Sequence, residues 1–210
     1  MNLGVEEFAD ADWRGSYYQL AIELSAEADD ARLTAGLEAL TGGFERCAGP
    51  SGDDEEDVHA RELELMRSLY GVLSLPEARR LGARALVLRE RSGSDWLALC
   101  VPSGMMERAG YRLDDPISNG FLSALDRAFL GIADQVCAAA AFDLALVGEE
   151  VSGLLHARDF TWKPEAAAWY LRRGGVLVRP SLLAGLATRV VADRRPSGLY
   201  WIPLIERSSP

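Results

Sequence analysis

The chain has 210 residues, three cysteines and a formal net charge of −10, and 49% of its residues are hydrophobic and 26% charged. This composition excludes a disordered chain, a collagen-like repeat and a disulfide-stapled miniprotein, and it is typical of a globular protein. Binding nucleic acid requires a surplus of Lys and Arg on one face, so the acidic balance disfavours it as the primary ligand and favours a basic protein partner.

Charge is unevenly distributed, with a net charge of −15 over residues 1–155 and +5 over residues 156–210. The C-terminal bases either form a basic patch or pair with the acidic remainder of the fold. The chain starts without a basic segment followed by an apolar one, and its longest apolar stretch is interrupted by Asp134, Gln135 and Asp143. We therefore expect a cytoplasmic protein without a membrane association. Lysine, Asn and Gln are rare, which is typical of high-GC bacterial coding.

An N-terminal arm, residues 1–14, precedes the first predicted element. Alternating apolar residues over 17–24 predict a half-buried strand. Asp29 or Asp30 then caps a helix that ends at glycines 42 and 43. Residues 45–67 are predicted to form an exposed acidic loop, since consecutive like charges resist compaction and no calcium-loop pattern is present. The acidic run of this loop consists of Asp53, Asp54, Glu55, Glu56 and Asp57.

The middle of the chain predicts an antiparallel meander of strands at 68–75, 82–91 and 96–101, with hairpin-turn residues at 92–95. The longest helix follows, and its apolar stripe should lie across the sheet. A buried strand at 142–147 then ends at Gly148, Glu149 and Glu150. The predicted stripe consists of Phe121, Leu122, Leu125, Phe129, Ile132, Ala133, Val136 and Ala140.

The C-terminal part predicts short elements: a helix capped by Thr161 with Pro164 in its first turn, a strand at 176–179 and a helical turn at 181–187. A hairpin pairs 189–192 with 199–205. The fold class is therefore α+β, a mostly antiparallel sheet with one long amphipathic helix across it and a smaller C-terminal α/β portion ending in a hairpin. We expect one domain over residues 15–206, with 152–160 as the place for a sub-boundary.

The sequence lacks the glycine motifs that hold nucleotide phosphates, the nucleophile elbow of serine hydrolases and clustered zinc ligands. We therefore predict neither a catalytic residue nor a cofactor. Cys100 and Cys137 lie in apolar runs and are predicted to be small core residues, as are Trp96 and Trp201 in predicted strands. A loop histidine, His156, is expected to be solvated unless it serves as a general base.

Two groups of residues are candidates for partner binding. Glu149 and Glu150 follow a buried strand and join the acidic run at 53–57 as a potential acidic face. An aromatic and arginine surface is typical of protein hot spots, although the tryptophans concerned have the alternative role of sealing a secondary core. The residues of that surface are Trp162, Trp169, Arg172 and Arg173.

These features favour a non-catalytic protein-binding module, most concretely an immunity- or antitoxin-like inhibitor that binds a basic toxin or nuclease through an acidic face. One alternative is a subunit of a bacterial defence or secretion assembly that docks through residues 162–173. Another is a metal-assisted enzyme whose carboxylates, Glu23, Asp95 and Glu149, act with a loop histidine, either His59 or His156.

Overall fold

The computed structural model of the chain describes residues 8–51, 63–76, 79–112, 117–171, 174–184 and 190–203. Within these ranges, nine strands form one antiparallel sheet. The strands are β1 (Tyr17–Ser25), β2 (Glu45–Arg46), β3 (Leu63–Leu75), β4 (Arg79–Glu90), β5 (Asp95–Pro102), β6 (Leu144–Glu149), β7 (Gly175–Val178), β8 (Asp193–Arg194) and β9 (Tyr200–Ile202). Their order across the sheet is β2-β3-β4-β5-β1-β6-β7-β9-β8, which places β1 at the centre.

The helices confirm the predicted α+β class. They are α1 (Asp30–Thr41), α2 (Ser103–Arg108), α3 (Ile117–Ala139), α4 (Asp159–Trp162), α5 (Pro164–Tyr170) and α6 (Pro180–Leu183), with a 3₁₀ helix at Asp10–Trp13. Asp29 caps α1 as predicted, since its Oδ1 accepts the Arg32 backbone N–H at 3.0 Å. Over the described parts of the chain, none of the helices has the length and apolarity needed to cross a membrane.

Helices α1 and α3 cover one face of the sheet. The predicted stripe of α3 is buried there in one cluster with residues of β1 and its neighbouring strands, except that Ile132 is half-buried at its margin. Each large side chain in this layer contributes roughly 1.5 to 3 kcal/mol of burial free energy. Trp201 is buried in the same cluster, as predicted, and Cys137, also predicted to be a core residue, is half-buried and packs against it.

A second layer covers the opposite face of the sheet, and the prediction of a half-buried β1 is wrong for this reason. Every residue of β1 between its two ends is buried, including the polar Gln19 and Glu23. The covering chain is residues 151–171, which we call the cover. Its buried members are Val151, Leu155, Phe160, Ala167, Tyr170 and Leu171. Strand residues from both halves of the chain occur in each of the two clusters.

The predicted loop at 45–67 is wrong at both ends. Glu45–Arg46 pairs with Val72 and Gly71 of β3 as the short strand β2. Strand β3 starts at Leu63 rather than at residue 68, because β4 is long enough to pair with it from Glu90 to Arg79. The acidic run at 53–57 lies outside the described residues.

The C-terminal elements shift by a few residues from their predicted positions. Thr161 lies inside α4, and the residue at the cap position of α5 is Lys163, while Pro164 is in the first turn as predicted. The terminal hairpin is confirmed, but its first strand is β8, which begins directly after the predicted end at 192. The helical turn predicted at 181–187 corresponds to α6, and residues 185–189 lie outside the described residues.

Candidate functional site

The predicted acidic pair is at the end of β6, next to the start of β1. Glu149 and Glu150 are both exposed, and Glu149 Oε1 accepts a hydrogen bond from Ser16 Oγ at 2.7 Å. Glu150 has a φ of 49°, and its backbone N–H donates to the Tyr17 carbonyl at 2.9 Å. This left-handed residue turns the chain out of the sheet and into the cover.

The predicted tryptophans lie on the cover and differ from the other described tryptophans in their exposure. Trp162 at the end of α4 is 73% exposed and Trp169 in α5 is 46% exposed. Trp96 and Trp201 are buried, as predicted. Arg172 and Arg173, which the sequence assigns to the same surface, lie outside the described residues.

The proposed carboxylate site is not assembled as a group. Glu23 and Glu149 lie at opposite ends of β1, because Glu23 pairs with Leu144 and Glu149 pairs with Tyr18. Asp95 lies on the α1 side of the sheet, where its Oδ2 accepts the Asp29 backbone N–H at 2.8 Å. Among the described residues, no three His, Cys, Asp or Glu side chains come together in a way that would hold a metal ion.

One histidine–carboxylate pair does form, between the cover and β1. His156 Nδ1 lies 2.9 Å from Glu23 Oε1, and the backbone N–H of Ala157 donates to the other oxygen, Oε2, at 2.6 Å. The Trp96 ring is edge-on to the imidazole with centroids 5.3 Å apart. Glu90 Oε1 on β4 lies 3.7 Å from His156 Nε2. His156 is therefore not the solvated loop residue that the sequence predicts.

The electrostatics of this pair favour the charged imidazole. The hydrogen bond to Glu23 raises the pKa of His156 above its usual value, and the negative charges of Glu23 and Glu90 act in the same direction. Burial opposes this effect because it disfavours the charged form. In the neutral form, Nδ1–H donates to Glu23 and Nε2 becomes an acceptor. The pair thus holds a proton and orients an imidazole, but its larger structural effect is to fix the backbone at 156 and 157.

A second polar side chain of β1 holds the same part of the cover. Gln19 Oε1 accepts hydrogen bonds from the Ser152 backbone N–H and hydroxyl at 3.2 and 3.0 Å. Its Nε2 donates to Cys100 Sγ at 3.4 Å, and burial raises the pKa of that thiol to about 12. Gln19 and Glu23 therefore bind residues 151–157, which we call the strap, at two points along β1.

Sequence reasoning missed the strap because its partners are far apart in the chain. Glu23 and His156 are 133 residues apart, and so are Gln19 and Ser152. The signal available in the sequence was the polar character of Gln19 and Glu23 on one face of an otherwise apolar strand. Buried polar groups need hydrogen-bond partners, so these two residues indicated either solvent or a polar covering segment.

An open groove of about 610 Å³ lies at the far end of β1, lined by residues 24–30, Arg32 and Asp143. Three of its carboxylates are in ion pairs with neighbouring bases: Asp29 lies 3.6 Å from Arg32, Asp30 lies 2.8 Å from Arg89, and Asp143 lies 2.7 Å from Arg179. Most of the groove's acidic side chains are thus paired with basic ones.

Comparisons of the chain with protein-family models, with curated proteins and with solved structures found no match.

Proposed function

We propose that the protein is a binding module that contacts a basic protein partner through the outer surface of the cover. The observation that carries this proposal is the exposure of Trp162 and Trp169 on two consecutive short helices. Exposed tryptophans are uncommon, and Trp is among the residues most enriched in binding hot spots. The structural alternative, in which both tryptophans seal a secondary core, does not agree with an exposure of 73% for Trp162.

Charge supports a basic partner. The chain has a net charge of −10, and Glu149 and Glu150 are exposed immediately before the cover. Glu165, which lies between the two tryptophans in the chain, is also exposed. Opposite charge on the partner would accelerate association and stabilise the correct orientation.

An immunity- or antitoxin-like inhibitor is the most specific form of this function. Such a protein needs no catalytic group of its own, because an acidic surface with aromatic anchors can block the cationic cleft of a toxin or nuclease. A subunit of a defence or secretion assembly would use the same surface for permanent docking. The two forms differ in whether the captured partner has an enzymatic activity that this protein inhibits.

The test is capture of the partner by the tagged protein at low salt from cytosol of the source organism, followed by elution at high salt and mass spectrometry. We expect a stoichiometric basic protein, and we expect Trp162→Ala to lower its retention at least about tenfold, as for a hot-spot residue. Val191→Ala is the matched control, because Val191 is an exposed apolar residue outside the cover. Equal retention by the two variants, or no basic protein in the eluate, would refute the proposal.

The acidic residues are tested separately by the kinetics of association with the captured protein. Charge reversal at 53–57, or of Glu149 and Glu150 together, should slow association and reduce its dependence on salt. An unchanged association rate in both variants would remove the acidic face from the contact. The role of Trp162 in the contact would still be tested by the retention of the Trp162→Ala variant.

A further inference from the structure

The strap is held on the sheet by a charged pair rather than by apolar contacts alone. Both carboxylate oxygens of Glu23 bind it, Oε1 through the imidazole of His156 and Oε2 through the backbone N–H of Ala157. Glu23 is buried in the centre of the sheet, so its position is fixed by β1 and its neighbours. The imidazole is the group on the strap side whose charge changes near neutral pH.

We propose that His156 and Glu23 form a pH-dependent latch that holds the strap against the sheet while the imidazole is protonated and releases part of that hold when the proton is lost. The proposal depends on these contacts and not on the identity of any partner. A protonated imidazole donates from both nitrogens, and hydrogen bonds between charged groups are stronger than neutral ones. Deprotonation removes the ion pair with Glu23 and the attraction of Glu90, although the hydrogen bond from the neutral Nδ1–H to the Glu23 carboxylate remains.

The elements packed around the imidazole supply groups that affect its protonation. Acidic groups predominate on the sheet side, and they stabilise the cation. The groups are Glu23 on β1, Glu90 on β4, the Trp96 ring on β5, Asp159 on α4, whose Oδ2 accepts the His156 backbone N–H at 3.0 Å, and the neighbouring Arg158, which opposes the charge.

The direction of the pH dependence follows from the direction of the pKa shift. The pKa of His156 is raised in the folded protein relative to about 6.5 for an unperturbed histidine. The latch therefore contributes its full stabilisation below about pH 6.5 and loses it as the pH rises through the folded-state pKa. Loosening at alkaline pH is the expected behaviour, and loosening between pH 6.5 and pH 5 would have the wrong sign.

The strap contains its own internal control. The amide of Ala157 is bound by Glu23, which is part of the latch, whereas the amide of Ser152 is bound by Gln19, which does not titrate. A background variant, His59→Gln, leaves His156 as the only imidazole of the chain. The full chain with this change is suited to NMR measurement of both the histidine titration and residue-specific amide exchange.

We expect the exchange protection of Ala157, corrected for the intrinsic pH dependence, to fall roughly three- to tenfold between pH 6 and pH 9, as for the loss of the donor's charge in one part-buried hydrogen bond. Protection of Ser152 should change less. Adding His156→Gln, which is neutral at every pH, should make the protection of Ala157 independent of pH.

Three results would overturn the latch. They are a protection ratio of Ala157 to Ser152 that does not change with pH, the same fall in the His156→Gln variant, and a titration midpoint of His156 at or below 6.5. If His156→Gln does not fold, the ratio and the midpoint measured in the His59→Gln background decide the matter alone.

Discussion

Two carboxylates contact the same guanidinium, that of Arg89, and they differ in burial and in the number of hydrogen bonds that they accept. Arg89 Nε and Nη2 donate to Asp95 at 2.6 and 3.0 Å, and Nη2 donates to Asp30 at 2.8 Å. The side chain of Asp95 is 1% exposed and that of Asp30 is 87% exposed. Both acids raise the pKa of Arg89, with Asp95 as the larger cause, so the guanidinium is charged under all ordinary conditions.

Replacing Asp95 by Asn should therefore be much more costly than replacing Asp30 by Asn. Removing one partner of a buried ion pair destabilises a protein by roughly 3 to 5 kcal/mol, because the remaining charge is left uncompensated. Arg89 retains Asp30 and some solvent, so we expect Asp95→Asn to cost about 3 kcal/mol, the lower end of that range. Asp30→Asn removes an exposed ion pair and a charge in the first turn of α1, which together contribute about 1 kcal/mol or less.

Urea unfolding of the two variants and of the parent protein at pH 7 measures this difference. The expected gap between the variants is about 2 kcal/mol, provided that the slope of the unfolding free energy with urea is unchanged. Equal losses of stability would refute the reasoning from burial and bidentate pairing. A gain in stability in Asp95→Asn would have a different meaning, since carboxylates kept for binding or catalysis are commonly destabilising, and it would return Asp95 to the list of functional candidates.

Four further predictions concern single positions. Gly131→Ala should stabilise the protein by about 1 kcal/mol in urea unfolding, because an added Cβ in α3 meets nothing within 4 Å. Gly175→Ala should destabilise it by roughly 1 to 3 kcal/mol, since that Cβ would overlap the buried ring of Trp201. A loss of stability in Gly131→Ala, or a gain in Gly175→Ala, would refute the packing described at these positions. Glu150→Gly should raise the thermal midpoint and stabilise by up to about 1 kcal/mol, because glycine adopts a positive φ without strain. In timed alkylation followed by mass spectrometry, Cys100 should react last of the three thiols, since burial raises its pKa to about 12; early modification would show that this face opens.

The parts of the fold that could be predicted from the sequence are those that nearby residues determine. Asp29 caps α1 from a position adjacent to the helix, and the apolar stripe of α3 needs only its own 3.6-residue period. The turn after β4 is formed where expected, with a φ of 96° at Gly93 and its N–H donating to the Glu90 carbonyl at 2.9 Å. Each of these features depends on contacts within a few residues.

The candidate site could not be predicted because register and long-range contacts determine it. Glu23 and Asp95 both lie near strand ends at the same edge of neighbouring strands, which suggests one cluster. The register pairs Glu23 with Trp96 and Ser25 with Asp95, and side chains alternate along a strand. One carboxylate therefore faces the cover and the other faces α1, so the predicted group is divided between two layers.

The two polar residues of β1 that face the cover have a consequence for the surface beyond it. Apolar side chains at positions 19 and 23 would also be buried, and they would avoid the cost of desolvating the Glu23 carboxylate. They would not, however, fix the register of the strap along β1. Gln19 binds Ser152 and Glu23 binds His156, so a spacing of four residues on β1 matches a spacing of four on the strap. A shift of the strap by one residue would leave both buried groups unpaired, at a cost of roughly 1 to 3 kcal/mol each. We therefore expect these bonds to determine where α4 and α5 begin, and so where the exposed tryptophans of the proposed contact surface lie.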